Sequence, residues 1–162
     1  MTLGEKLTDL LQNHLPILGE ISERSAGIKP TPDKWSAKEI LGHLIDSACN
    51  NHRRFIIAQS KDDLVFDGYE QEMWVKSQYY QDASWQDLIT LWKSYNQHLA
   101  RIIDCIPEQI LRSGRGHHSL DYVAWKTVSK SESTTLYYFI EDYINHMKHH
   151  LNQITEAVQS LR

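Results

Sequence analysis

Apolar residues recur along most of the chain at the 3.6-residue spacing of amphipathic helices. Leu3, Leu7, Leu10, Leu11, His14, Leu15 and Leu18 form one stripe and predict a first helix over 3–22. Pro16 is expected to kink it, because proline removes a backbone donor and clashes with the preceding turn. Ser36 and Glu39 fit an S-x-x-E capping box, with Trp35 and Ile40 placed as its hydrophobic staple. A second helix is therefore predicted over 35–60, burying Ile40, Leu41, Leu44, Ile45, Ala48 and Phe55. Ser84 opens a third, over 84–106, with Leu88, Trp92, Tyr95, Leu99 and Ile103 on its inner face, and Pro107 ends it. The fourth runs over 133–161, with Leu136, Ile140, Tyr143, Met147, Leu151, Ile154 and Val158 as its stripe.

Residues 61–83 read as a long crossover with a short helix near 69–77, and 108–130 as the least regular stretch. No segment reads as a strand. Four long helices with two long connections predict an all-α fold, an antiparallel four-helix bundle with a long crossover between helices 2 and 3. At 162 residues the whole chain, 1–162, is expected to form one domain.

Composition narrows the function. The formal net charge is −4 and no basic stripe stands out, which argues against a nucleic-acid partner. No apolar run reaches membrane-spanning length. The N-terminus lacks the basic and apolar parts of a signal peptide, and Cys49 and Cys105 make neither a disulfide framework nor a CxxC metal site. A reduced, cytoplasmic protein is the expectation, with Cys49 as a buried structural thiol. Five Trp and eight Tyr are many for this length and serve as core or as pocket walls.

The candidate chemistry lies near the C-terminus, in the run N-H-M-K-H-H-L-N-Q-I at 145–154. His146 and His150 stand four residues apart, on one face of a helix, and extend the inner stripe of Phe139 and Tyr143. Two imidazoles so placed converge on one metal ion, or are two hydrogen-bonded core histidines; spacing alone leaves both open. His43 falls at the edge of the second helix's apolar face, so its phase does not mark it as a ligand. Asp46, one turn on, is placed to orient a metal-bound imidazole. His14 reads as a core-edge residue, and His117 and His118 as an exposed loop pair.

With these residues in hand, the chain resembles the DinB-like superfamily and, within it, the YfiT-like branch. K-W-S-A-K-E-I-L-G-H-L-I-D at 34–46 is similar to the family's W-S-x-x-x-x-x-x-H-L motif, and H-M-K-H-H-L-N-Q-I at 146–154 to its H-x-x-H-H-x-x-[HQ]-I segment. Y-E-Q-E-M-W, ending at Trp74, is similar to a weaker family stretch. The resemblance implies a metal held by His43, His146 and His150, with Gln153 beside the ligands where some relatives carry a histidine. It also implies a four-helix bundle, often a homodimer. Some members transfer thiol cofactors such as bacillithiol, mycothiol or glutathione to electrophiles; others are described as hydrolases.

Three imidazoles leave a coordination position open, as catalytic zinc sites do. Zn²⁺ is the first expectation and Ni²⁺ the second. Three readings follow. One is a metal-dependent transferase that activates a low-molecular-weight thiol. Another is a metal-dependent hydrolase of a small molecule with Asp46 or Glu70 as catalytic base. The third is a non-catalytic metal-binding bundle. The crossover over 61–83 is expected to wall the entrance to the site.

Overall fold

In the computed structural model, residues 1–161 are described. They form helices and connections, with no β-strand among them. The four long helices are α1 (Leu3–Gly19), α3 (Ala37–Ala58), α5 (Trp85–Asp104) and α8 (Leu136–Gln159). Short helices fill the connections: α2 (Glu23–Ala26), α4 (Gln71–Ser77), α6 (Glu108–Arg112) and α7 (Leu120–Val123), with a 3-10 turn at Tyr80–Asp82. Each long helix starts where a hydroxyl side chain takes up a free backbone N–H. Thr2 and Ser36 do so in full capping boxes with Glu5 and Glu39, and Ser84 and Thr135 accept from Asp87 and Tyr138. The first helix is shorter than its stripe suggests. It runs on through Pro16, ends at Gly19, and gives way to a new start capped by Ser22.

Contacts along the helices fix the topology. Gly4 N–H donates to Asp104 at one end and Trp85 Nε1 donates to the Leu18 carbonyl at the other, so α1 and α5 are antiparallel. His43 meets His146 and His150 while Phe55 meets Phe139, so α3 and α8 are antiparallel. Lys38 reaches the Ala83 carbonyl and His52 packs edge-to-face against Tyr95 and His98, so α3 and α5 run in the same direction. The bundle thus consists of two antiparallel pairs. The parallel relation of α3 and α5 is the physical reason for the crossover, since the chain must travel back along the bundle before α5 begins.

The two long connections are tied to each other. Leu64 N–H donates to the His117 carbonyl and Ser119 N–H to the Leu64 carbonyl, each at 3.0 Å, and the Ser119 hydroxyl accepts from Phe66 N–H at 2.8 Å. Arg115, buried, donates to the Lys61 carbonyl at 2.6 Å. His118 is buried too, hydrogen-bonded to the Glu132 carbonyl, so only His117 of the expected exposed pair faces solvent. Phe66 then stacks on Phe139 in the core, at 5.5 Å between ring centroids. Cys49 and Cys105 are both exposed free thiols, which corrects the expectation of a buried Cys49. Among the described residues no helix is long and apolar enough to cross a membrane.

Candidate metal centre

Helix α3 is covered by α2, α4, the 3-10 turn, α5 and α8. Its first half is consequently buried on every side: residues 40–48 contain no exposed position. That is why His43, at the edge of the apolar stripe, is 0% exposed. Across from it, α8 places His146 and His150 one turn apart on its inner face. One ligand atom from each of His43, His146 and His150 lies within 4.8 Å of the others. Among the described residues no carboxylate or thiol joins this set.

The nitrogens fit a metal. His43 Nε2 and His146 Nε2 are 3.3 Å apart. Two nitrogens bound at about 2.0–2.1 Å to one tetrahedral ion stand about 3.3–3.4 Å apart. His150 Nδ1 donates to Gln153 Oε1 at 2.7 Å, which leaves Nε2 of that ring with its lone pair. Gln153 is held in turn, its Nε2 donating to His149 Nε2 at 3.0 Å. Burial holds His43 down at about 3 and His146 at about 2, with neighbouring imidazoles adding to the effect. Burial also lowers His150. The three rings are therefore neutral near pH 7, as metal ligation requires. His43 Nδ1 is buried without a hydrogen-bond partner.

Asp46 lies 1% exposed on α3, but no hydrogen bond joins it to His43. Its Oδ1 accepts from Tyr80 Oη at 2.6 Å and Gln78 Nε2 at 2.7 Å, while Oδ2 has no partner. Burial pushes its carboxyl up, against those two bonds. Glu70 is exposed at the start of α4. His14 bonds the Leu10 carbonyl within its own helix and stands apart from the cluster.

Two openings flank the centre. The larger, about 500 Å³, is lined by Trp35, Ile40, Glu72 and Gln153, and none of the three imidazoles lines it. The smaller, about 120 Å³, is closed at one side by His146 itself. Tyr69 and Gln71 of the crossover form part of its wall, facing Tyr122 to Trp125. Ser47, Asn51 and Arg54 complete it from α3. Sequence reasoning missed these three. The signal was present: His43, Ser47, Asn51 and Arg54 recur at i, i+4, i+8 and i+11, a stripe of buried polar side chains along α3.

The solved structure of YfiT from Bacillus subtilis is similar, with a TM-score of 0.74 at 17% identity over 98% of this chain and 87% of that one. That protein is described as a probable metal-dependent hydrolase with an unusual four-helix bundle topology. The likeness establishes the shared fold. No curated protein matches the chain. The sequence pattern of the DinB superfamily matches residues 6–154, which include all three histidines, and the chain belongs to that superfamily.

Proposed function

We propose that this protein is a metal-dependent enzyme acting on a small molecule, with one divalent ion held by His43, His146 and His150. The carrying observation is the convergence of three neutral imidazoles, His43 and His146 buried and His150 half-buried, with no fourth protein ligand among the described residues. Structural zinc sites close with four protein ligands, whereas three leave a place for a reactant. Zn²⁺ suits such a set best, and Ni²⁺ also accepts imidazole. A divalent ion supplies Lewis acidity there, so that a water or a thiol in the remaining position gives up its proton near neutral pH.

Thiol transfer is the first reading of the reaction. Three neutral ligands offset none of the ion's charge, which favours an anionic sulfur. Among the described residues no carboxylate is hydrogen-bonded to any of the three rings, and the thiol route needs no separate base. The crossover wall at Tyr69 and Gln71 bounds the space where the electrophile would lie. Hydrolysis is the second reading, favoured by the description of the similar B. subtilis protein and by the unpartnered Oδ2 of Asp46 as a proton acceptor. A homodimer, expected from the family's habit, is part of the proposal, and light scattering over a range of concentrations tests it.

Cobalt-substituted protein titrated with cysteine, glutathione or bacillithiol decides between the two chemistries. The transferase reading expects thiolate-to-metal charge-transfer absorption and thiol-dependent loss of an electrophile. A spectrum indifferent to every thiol, together with hydrolysis of an ester, amide or lactone by water alone, would replace it with the hydrolase reading.

A further inference from the structure

Arg54 is 5% exposed, yet among the described residues no carboxylate lies within ion-pair distance of its guanidinium. Its hydrogen bonds go to two neutral acceptors, Asn51 Oδ1 at 3.3 Å and the Asp67 carbonyl at 2.5 Å. These use two of the five N–H groups that a guanidinium carries. The Asp67 carboxylate acts on the guanidinium only from beyond ion-pair distance, and the Tyr69 ring lies 5.9 Å from it; a buried cation without a contact ion pair is unfavourable, and arginine does not escape by losing its proton. The guanidinium also lines the same small cavity that His146 closes.

The rest of that cavity defines what fits. Its wall includes one carboxylate, Asp142, but both oxygens of Asp142 are engaged elsewhere. They accept the backbone N–H groups of Trp125 at 2.8 Å and Lys126 at 2.9 Å. The remaining lining mixes aromatic rings, among them Tyr69 and, near the His146 end, Trp125, with the neutral polar side chains of Ser47, Asn51 and Gln71. We infer that this cavity takes the carboxylate of a small monoanionic substrate, bound by Arg54, with the reacting end directed toward His146.

The planar guanidinium fork matches a carboxylate in two parallel hydrogen bonds. A single negative charge suits a space that holds one free cation and one engaged carboxylate; a phosphate dianion would meet Asp142 in the same volume. At about 120 Å³ the cavity admits a carboxylate with a short carbon chain and little more. A thiol bearing a carboxylate would join this site to the sulfur chemistry proposed above. The direction of the reacting end rests on the metal-centre reading, whereas the carboxylate site stands on Arg54 and the cavity.

Heteronuclear NMR of the isotope-labelled, metal-free full chain tests the inference. Sodium propionate is the probe, propionamide its uncharged control and inorganic phosphate the competing anion, all at constant ionic strength in chloride. Propionate is expected to shift the Arg54 Nε–H and Trp125 indole signals saturably, propionamide to leave them in place, and phosphate to bind more weakly. Arg54→Gln is expected to abolish the propionate response with unchanged far-UV circular dichroism. If that variant does not fold, the ligand series on the unaltered chain still decides. Equal responses to propionate and propionamide, no response at Arg54, or tighter binding of phosphate would each overturn the proposal. The metal-free chain separates the two readings: propionate binding without any metal affinity sinks the metal centre alone, and metal affinity without propionate binding sinks the carboxylate site alone.

Discussion

Gly42 is packed so closely against Tyr80 that a Cβ at position 42 would stand 2.1 Å from Cδ2 of the tyrosine ring. The contact joins the 3-10 turn at the end of the crossover to α3, one residue before His43. The same ring donates its hydroxyl to Asp46 Oδ1 at 2.6 Å. A glycine inside a helix is ordinarily improved by alanine, by about 0.5–1 kcal/mol. Here overpacking, at about 1–3 kcal/mol or more, outweighs that gain, because a ring held by Asp46 cannot step aside as a flexible chain end does. Gly42→Ala is expected to lower the urea midpoint, with a net loss on the order of 1 kcal/mol, and to weaken metal binding by displacing His43. An unchanged midpoint would show that the ring moves freely.

Gln153 fixes the ring of His150 through the 2.7 Å bond to Nδ1. Partners of this kind set the tautomer of a ligating imidazole, and losing one typically lowers metal affinity about 10–100-fold. Gln153→Ala is expected to do so while leaving helix content and unfolding of the metal-free protein nearly as before. Competition against a chromophoric chelator measures it. Affinity equal to that of the unaltered protein would remove Gln153 from the metal centre.

His146→Ala is expected to abolish tight binding of the one divalent ion per chain. The fold should survive, because Leu136, Ile140, Met147, Leu151 and Ile154 keep the inner stripe of α8, each 0% exposed. Elemental analysis beside circular dichroism checks both halves. A full complement of metal in the variant, or an ion bound at His117 and His118, would count against the three-histidine centre.

Local signals carried most of the fold into the sequence. The capping box at Ser36 and Glu39, the cap at Ser84 and the stripes of α5 and α8 depend on neighbours within a few turns. The convergence of His146 and His150 was legible for the same reason, since one helical turn sets it. His43 was legible only through the resemblance of residues 34–46 to the family's W-S-x-x-x-x-x-x-H-L motif, because its burial depends on which elements cover α3, a tertiary fact that its own phase does not encode. The apposition of the two connections, through Leu64 with Ser119 and Arg115 with Lys61, escaped for a similar reason: these bonds join residues more than 50 positions apart. Arg54 was overlooked because an arginine on a long helix reads as solvated, and only the cavity reveals where it lies.

The buried histidines also predict how the metal-free protein responds to acid. In the folded chain burial holds His43 at about 3 and His146 at about 2, against about 6.5 for histidine in an unfolded chain. Between those values the unfolded state binds more protons than the folded one, so stability rises with pH. The contribution of the neutral rings is fully present above about pH 6.5 and is lost as pH falls toward the folded values. Each ring adds at most about 1.4 kcal/mol per pH unit to the slope, and His150, lowered by burial, acts with the same sign. Asp46 and Asp142, raised by burial, act with the opposite sign, and both are common to the two proteins compared next. The window from about pH 6.5 to 5 is where unfolded histidines take up their protons. Denaturant midpoints of the metal-free protein should fall across it, and more steeply than those of His146→Leu, which lacks one of the titrating rings. Equal slopes for the two proteins would mean that His146 is not buried as a neutral imidazole.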